Sequence, residues 1–169
     1  MTDTRAVPRT WPADWEQRAR GDDCPMCGQG RPEENEFGIR VYRSDTADGY
    51  LQKADVGQRG YCLVIWRGRH VAEITQLGDT EAGQYWDDVR RVARAVELHF
   101  TPAKLNLLIL GNELPHLHTH VVPRYVDDSE PGRPPHFLRA EAKARQSPIE
   151  DLRHDAAMLR DLIDGKIAG

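Results

Sequence analysis

Pro115-His-Leu-His-Thr-His-Val-Val-Pro-Arg124 is the stretch that decides how this chain is read. Three of the seven histidines, His116, His118 and His120, alternate there with Leu117, Thr119 and Val121. Alternation is the period of a β-strand, whose successive side chains point to opposite faces. A strand over His116–Val122, ended by Pro123, puts all three imidazoles on one face. On a helix, successive members of the trio would stand about 200° apart and share no site. Gathering three imidazoles on one face is costly unless they engage a metal or an anion, because each ring needs polar partners. Spacing alone leaves a metal-chelating strand and an anion-handling strand as the two uses.

The flanking segments place this strand in an α+β domain built on an antiparallel sheet. Leu105–Leu110 is an apolar run that reads as a buried strand, joined to the histidines by the turn Gly111–Pro115. Tyr61–Trp66 is a continuous apolar run bounded by Gly60 and Gly68, the pattern of a central strand. Ile39–Arg43 alternates in polarity, and a second short strand falls near Tyr50–Lys53. Between the two apolar runs, Tyr85, Val89, Val92, Ala93 and Val96 recur on one helical face. Asp79 or Thr80 is positioned to cap that helix and Pro102 to stop it. Its early acids and later arginines suit the helix dipole. Ile149, Leu152, Ala156, Leu159 and Ile163 give a second helical stripe within Pro148–Ile167. Residues 1–36, rich in Pro, Gly and charge, read as an irregular arm, and Asp127–Pro135 as a loop. Short turns between strands favour this arrangement over a parallel doubly wound sheet.

Length and charge bound the function. At 169 residues the chain suits one domain, 1–169, with a real core. The net charge is −4, from 23 basic and 27 acidic residues without a long run of one sign. That excludes the basic stripe needed to bind a nucleic acid polymer. The longest apolar runs are far short of the roughly 20 residues of a membrane helix. The N-terminal residues lack a signal peptide's apolar core, so a cytoplasmic location is expected.

In that setting Cys24-Pro-Met-Cys27-Gly28 suggests metal or redox chemistry rather than a disulfide framework. Its shape is that of a zinc knuckle, and tetrahedral zinc needs two further ligands. Cys62 lies inside an apolar strand and reads as core, so histidines should complete the set. A redox dithiol is the rival, but no helix start clearly follows to lower a thiol pKa. His99, His136 and His154 show no partner pattern and are expected at the surface.

The segment His116-Leu-His-Thr-His-Val-Val122 resembles the signature of the histidine triad (HIT) family, with Thr119 as the one weakly apolar position. The following Pro123-Arg124 is similar to that of many members. Val64-Ile-Trp-Arg-Gly-Arg-His70, the helix from Thr80, and Asn106 and Gly111 resemble the family's upstream elements. The likeness covers a core of about 24–126, leaving the arm 1–36 overlapping its start and an extension over 127–169. It implies a HIT-like antiparallel sheet with one long helix packed on it, a zinc-anchored arm and a C-terminal helix.

The resemblance implies a nucleotide hydrolase acting at the α-phosphorus of a dinucleoside polyphosphate or nucleoside phosphoramidate. His118 would be the nucleophile, forming a nucleotidyl-histidine, with its other nitrogen bonded to a strand carbonyl. His120 would contact phosphate oxygens, and Asn106 and Arg124 would help bind the substrate. Where many members carry Ser, Thr or Gln before the triad, this chain offers Asn112 or Glu113 for the leaving group. For the ribose it offers Gln52 or Asp55, with Lys53 between them. In one branch, and in the related galactose-1-phosphate uridylyltransferases, a C-x-x-C pair joins two histidines around structural zinc. The matching ligands are Cys24, Cys27, His70 and His116. The resemblance also implies a homodimer joined around Leu105 or Thr80. A nucleotidyl transferase or phosphorylase, and a non-catalytic nucleotide- and zinc-binding module, are the alternatives.

Overall fold

The computed structural model describes residues 10–55, 58–128, 130–135 and 145–166. Its frame is an antiparallel sheet of five strands: β1 (Gly38–Arg43), β2 (Ala47–Gln52), β4 (Cys62–Trp66), β5 (Lys104–Leu108) and β6 (His118–Arg124). They lie in the order β1-β2-β4-β6-β5. The run from Cys62 to Trp66 is thus the middle strand, as its unbroken apolar character requires. A separate two-stranded ladder pairs β3 (Ala54–Asp55) with β7 (Arg145–Gln146).

One face of the sheet carries the core. The long helix α3 (Asp79–Phe100) lays Tyr85, Val89, Val92, Ala93 and Val96 against Val64, Thr119 and Val121. Full burial of each such apolar side chain contributes about 1.5–3 kcal/mol. Gly49 lets β2 meet α3 closely, because a Cβ there would come within 2.9 Å of Val92. The Tyr85 hydroxyl is satisfied within this core: it donates to the Val64 carbonyl at 3.1 Å and lies 2.8 Å from the Thr119 hydroxyl.

Two buried carboxylates fasten the helices. Asp88 of α3 accepts hydrogen bonds from Tyr42 at 2.6 Å, Ser44 at 2.7 Å and Thr46, which ties the β1–β2 hairpin to α3. The C-terminal helix α4 (Ile149–Ile163) packs Leu152, Ala156 and Leu159 into the same core. Its Asp155 lies 2.8 Å from His99 Nε2 and 3.0 Å from Arg59, linking α4 to α3. His99, expected at the surface, is therefore held inside this clamp, and His136 lies outside the described residues.

Several boundaries differ from the sequence reading. Gly78, not Asp79 or Thr80, caps α3, and its N–H donates to the Glu81 carboxylate at 2.9 Å. The arm is not wholly irregular: it folds into α1 (Trp15–Arg20) and the single turn α2 (Pro25–Gly28). Pro123 does not end its strand but pairs with Leu105. Pairing with β4 stops at Val121, so at Pro123 the strand has a neighbour on one side only. That is the edge-like setting in which a missing N–H is tolerated.

Candidate active site and metal centre

The other face of the sheet gathers the polar groups. Register places His118 opposite Ile65 and His120 opposite Leu63 on β4, and Leu108 of β5 on the far side of His120. Alternation then puts His118, His120 and Arg124 on one face. His116 is not part of this row. The strand begins only at His118, because the His116 N–H donates back to the Leu114 carbonyl at 2.8 Å. The His116 ring engages the cysteines of the arm and the Trp66 carbonyl, so by their partners the three imidazoles divide into a pair and one.

This third ring joins the arm. His116 Nδ1 lies 3.5 Å from both Cys24 Sγ and Cys27 Sγ, and His70 Nδ1 lies 3.4 Å from Cys27 Sγ. All four ligand atoms fall within 4.8 Å of one another. A tetrahedral zinc site, with Zn–S near 2.3 Å and Zn–N near 2.0–2.1 Å, has S···N edges of about 3.5 Å. The observed spacing fits such a centre. His116 Nε2 donates to the Trp66 carbonyl at 2.9 Å, which leaves the Nδ1 lone pair directed at the sulfurs. Burial holds its ring neutral, with a pKa down to about 4.

Two features make room for this cluster. Gly21 has φ +90°, and a Cβ there would stand 2.5 Å from His70 Cγ, so only glycine lets the arm cross that ring. Asp48, fully buried, accepts from Arg31 Nε, Arg31 Nη2 and Arg67 Nε, each at 2.7 Å. Arg67 also donates to the Met26 carbonyl at 2.7 Å, which fixes the turn between the cysteines. That turn is α2, with Cys24 at its N-cap, so a helix start does follow the first cysteine. It does not activate the second: burial, then Cys24, pushes the Cys27 thiol up to about 11.

The remaining pair differs in partners. His118 Nδ1 donates to the His116 carbonyl at 2.6 Å, so Nε2 carries the lone pair. Burial lowers the His118 pKa and holds that ring neutral. His120, its ring centroid 4.9 Å from that of His118, is lowered to about 4 by burial and then by His118. Its Nδ1 lies 2.7 Å from the Tyr61 hydroxyl.

The other candidate residues are scattered around this pair. Arg124 is buried, and its guanidinium donates to Asp128, Asn106 Oδ1 at 2.9 Å, and the carbonyls of Arg133 and Glu130. Arg124 and Asn106 are thus engaged with each other. They line a cleft of about 420 Å³ with Leu108 and Gly132–Pro135 at the β5 edge. Asn112 and Glu113 are exposed on the turn before His116, where the Glu113 carbonyl accepts from Arg18 at 3.5 Å. Gln52 ends β2 beside Tyr61, its N–H donating to the Tyr61 carbonyl at 2.9 Å. The side chain of Asp55 lies outside the described residues. Lys53 pairs with Glu34 at 2.6 Å.

Sequence reasoning missed Tyr61 and Asp48. Both face the histidines only once the strand register is known, although Tyr61 shares parity with Leu63 and Ile65.

The HIT domain model matches residues 41–127. Protein hit of Bacillus subtilis (strain 168) is 32% identical over 91 residues, 51% of this chain and 61% of that protein. The chain thus spans somewhat less than two thirds of that relative's length. Among solved structures, a histidine triad protein from Bradyrhizobium japonicum superposes with a TM-score of 0.67 at 24% identity, covering 76% of this chain and 92% of that one. A Zn-bound histidine triad family protein from Mycobacterium smegmatis gives a TM-score of 0.58 at 22% identity, covering 85% and 93%.

Proposed function

This chain belongs to the HIT domain family, and from that membership we propose that it is a nucleotide hydrolase with His118 as nucleophile. The observation that carries the reading is the 2.6 Å bond from His118 Nδ1 to the His116 carbonyl. It fixes the tautomer that leaves Nε2 unprotonated, and burial keeps the ring uncharged. In the reaction, the Nε2 lone pair forms a bond to the α-phosphorus, and the bond from phosphorus to the leaving group breaks with its electron pair. The resulting imidazolium keeps its Nδ1–H on the His116 carbonyl. Water then forms the new P–O bond, the P–N bond breaks with its electron pair returning to Nε2, and the proton that water gives up to solvent balances the one the leaving group takes from it, so His118 is regenerated with release of a nucleoside monophosphate. His120 contributes hydrogen bonding to the phosphate oxygens as charge develops. Dinucleoside polyphosphates and nucleoside phosphoramidates are the substrate classes.

Zinc is the structural ion of this reading, held by Cys24, Cys27, His70 and His116. It anchors the arm, and at zinc-finger strength would add on the order of 10 kcal/mol to folding. The S···N spacing and the Zn-bound Mycobacterium smegmatis relative support it. A reducing cytoplasm keeps both thiols available as ligands. A homodimer through the β5 edge is supported by the position of that strand at the sheet margin and by Leu107, 46% exposed.

A panel of adenylylated and guanylylated compounds tests the activity. His118→Asn should abolish turnover and the acid-labile nucleotidyl adduct while leaving the fold intact. Near-full activity in that variant refutes the mechanism. Nucleotide binding without turnover on the whole panel identifies a binding module, and phosphate-dependent products identify a phosphorylase. Elemental analysis should find one zinc per chain, and more than one would return the triad to metal binding.

A further inference from the structure

His118 and His120 are neighbours on one strand face, yet their Nδ1 atoms meet opposite kinds of group. His118 Nδ1 faces a carbonyl, which can only accept a hydrogen bond. His120 Nδ1 faces the Tyr61 hydroxyl at 2.7 Å, a group able to donate or accept. Between a neutral phenol and a neutral imidazole the chemistry is one-sided. The phenol is the better acid, and the imidazole nitrogen is the stronger base. Burial keeps both uncharged: it pushes the Tyr61 phenol well above its usual range and the His120 ring down to about 4.

The geometry is fixed from two sides. Tyr61 immediately precedes β4, and its carbonyl accepts the Gln52 N–H at 2.9 Å, which pins it to β2. Its ring lies nearly parallel to that of His120, at an interplanar angle of 5° with centroids 6.0 Å apart. The two rings thus lie side by side, and the in-plane hydrogen bond holds His120 in one orientation.

We propose that Tyr61 is a positioning residue whose hydroxyl donates to His120 Nδ1 and so fixes His120 in the Nε2–H tautomer, opposite to that of His118. Two adjacent imidazoles then present different atoms to a substrate. His118 offers a bare nitrogen that can attack phosphorus. His120 offers an N–H that can donate to a phosphate oxygen. Without the Tyr61 hydroxyl the His120 ring would exchange tautomers, and a fraction of molecules would present two lone pairs to an anion. The catalytic consequence rests on the reading of His118 as nucleophile, whereas the tautomer of His120 does not.

Long-range ¹H–¹⁵N correlation on the full chain, labelled with ¹⁵N-histidine and purified with its metal, reads the tautomers directly. His120 should show a protonated Nε2 and a bare Nδ1, and His118 the reverse. A protonated Nδ1 on His120 in the unaltered protein overturns the proposal without reference to any variant. Tyr61→Phe keeps the ring and removes the hydroxyl. It should give mixed tautomers at His120 alone, with unchanged zinc content, and lower kcat about tenfold, the effect of one hydrogen bond. An unaltered His120 spectrum in Tyr61→Phe also overturns it. Failure of the nucleotide reading shows differently, as an unaltered protein with the expected tautomers and no turnover on the panel.

Discussion

Replacing Asp48 with Asn keeps the side-chain shape and removes one buried charge. Asp48 is fully buried and accepts three bonds of 2.7 Å from two guanidinium groups. The side chain of Arg67 is 10% exposed and that of Arg31 is 26% exposed, so water cannot take over the role of the carboxylate at Arg67. Removing one partner of a buried pair costs roughly 3–5 kcal/mol. Partial exposure of Arg31 sets the expectation at the lower end, about 3 kcal/mol. For a chain of this size that lowers Tm by roughly 6–12 °C. Urea unfolding of the two proteins, with an unchanged m-value, measures the difference. Arg67 also holds the Met26 carbonyl, so zinc loaded at the proposed Cys24–Cys27 site should pass to a chelator faster from the variant. A loss below about 1 kcal/mol with unchanged metal release would refute the claim that Asp48 ties the arm to the sheet.

Three further outcomes are expected. Gly21→Ala places a Cβ on His70 at a positive φ, so dialysed protein should retain less zinc and lose about 1–3 kcal/mol of stability; full zinc retention would contradict this. His120 has a native pKa of about 4 against an ordinary 6.5, so the unfolded chain takes up its proton first. Its contribution is therefore fully present above pH 6.5 and declines towards pH 4, by roughly 3 kcal/mol at the limit. His120→Asn should flatten that slope in denaturant melts, and an unaltered slope would count against it. Tyr85→Phe strips the bond to Val64 and leaves the Thr119 hydroxyl short of a partner, which should cost about 1–2 kcal/mol by chemical denaturation.

Much of the architecture was legible because it rests on periodicity. The buried face of α3 and the middle of the α4 stripe follow from residue spacing alone: Leu152, Ala156 and Leu159 are buried as read, whereas Ile149, on the first turn, is 39% exposed. The central strand was legible from its unbroken apolar run. The bend at His116 was not, because alternation continues through it in the sequence. It is imposed by the Leu114–His116 backbone bond and by partners on the distant arm and on β4. Tyr61 and Asp48 were hidden for a related reason. Which residue faces which across a sheet depends on register, and register is a property of paired strands rather than of either one. Pro123 misled because its missing N–H argues against a strand in general, while here it falls where β4 no longer pairs.

His116 divides its labour between main chain and side chain. The proton on His118 is governed by a peptide oxygen, which every amino acid possesses, whereas the imidazole of His116 serves a different centre altogether. The two duties can therefore diverge independently in evolution. A lineage that discards the cysteine pair can replace the imidazole of residue 116 and still inherit the electronic state of its neighbour, so long as the bend after Pro115 survives.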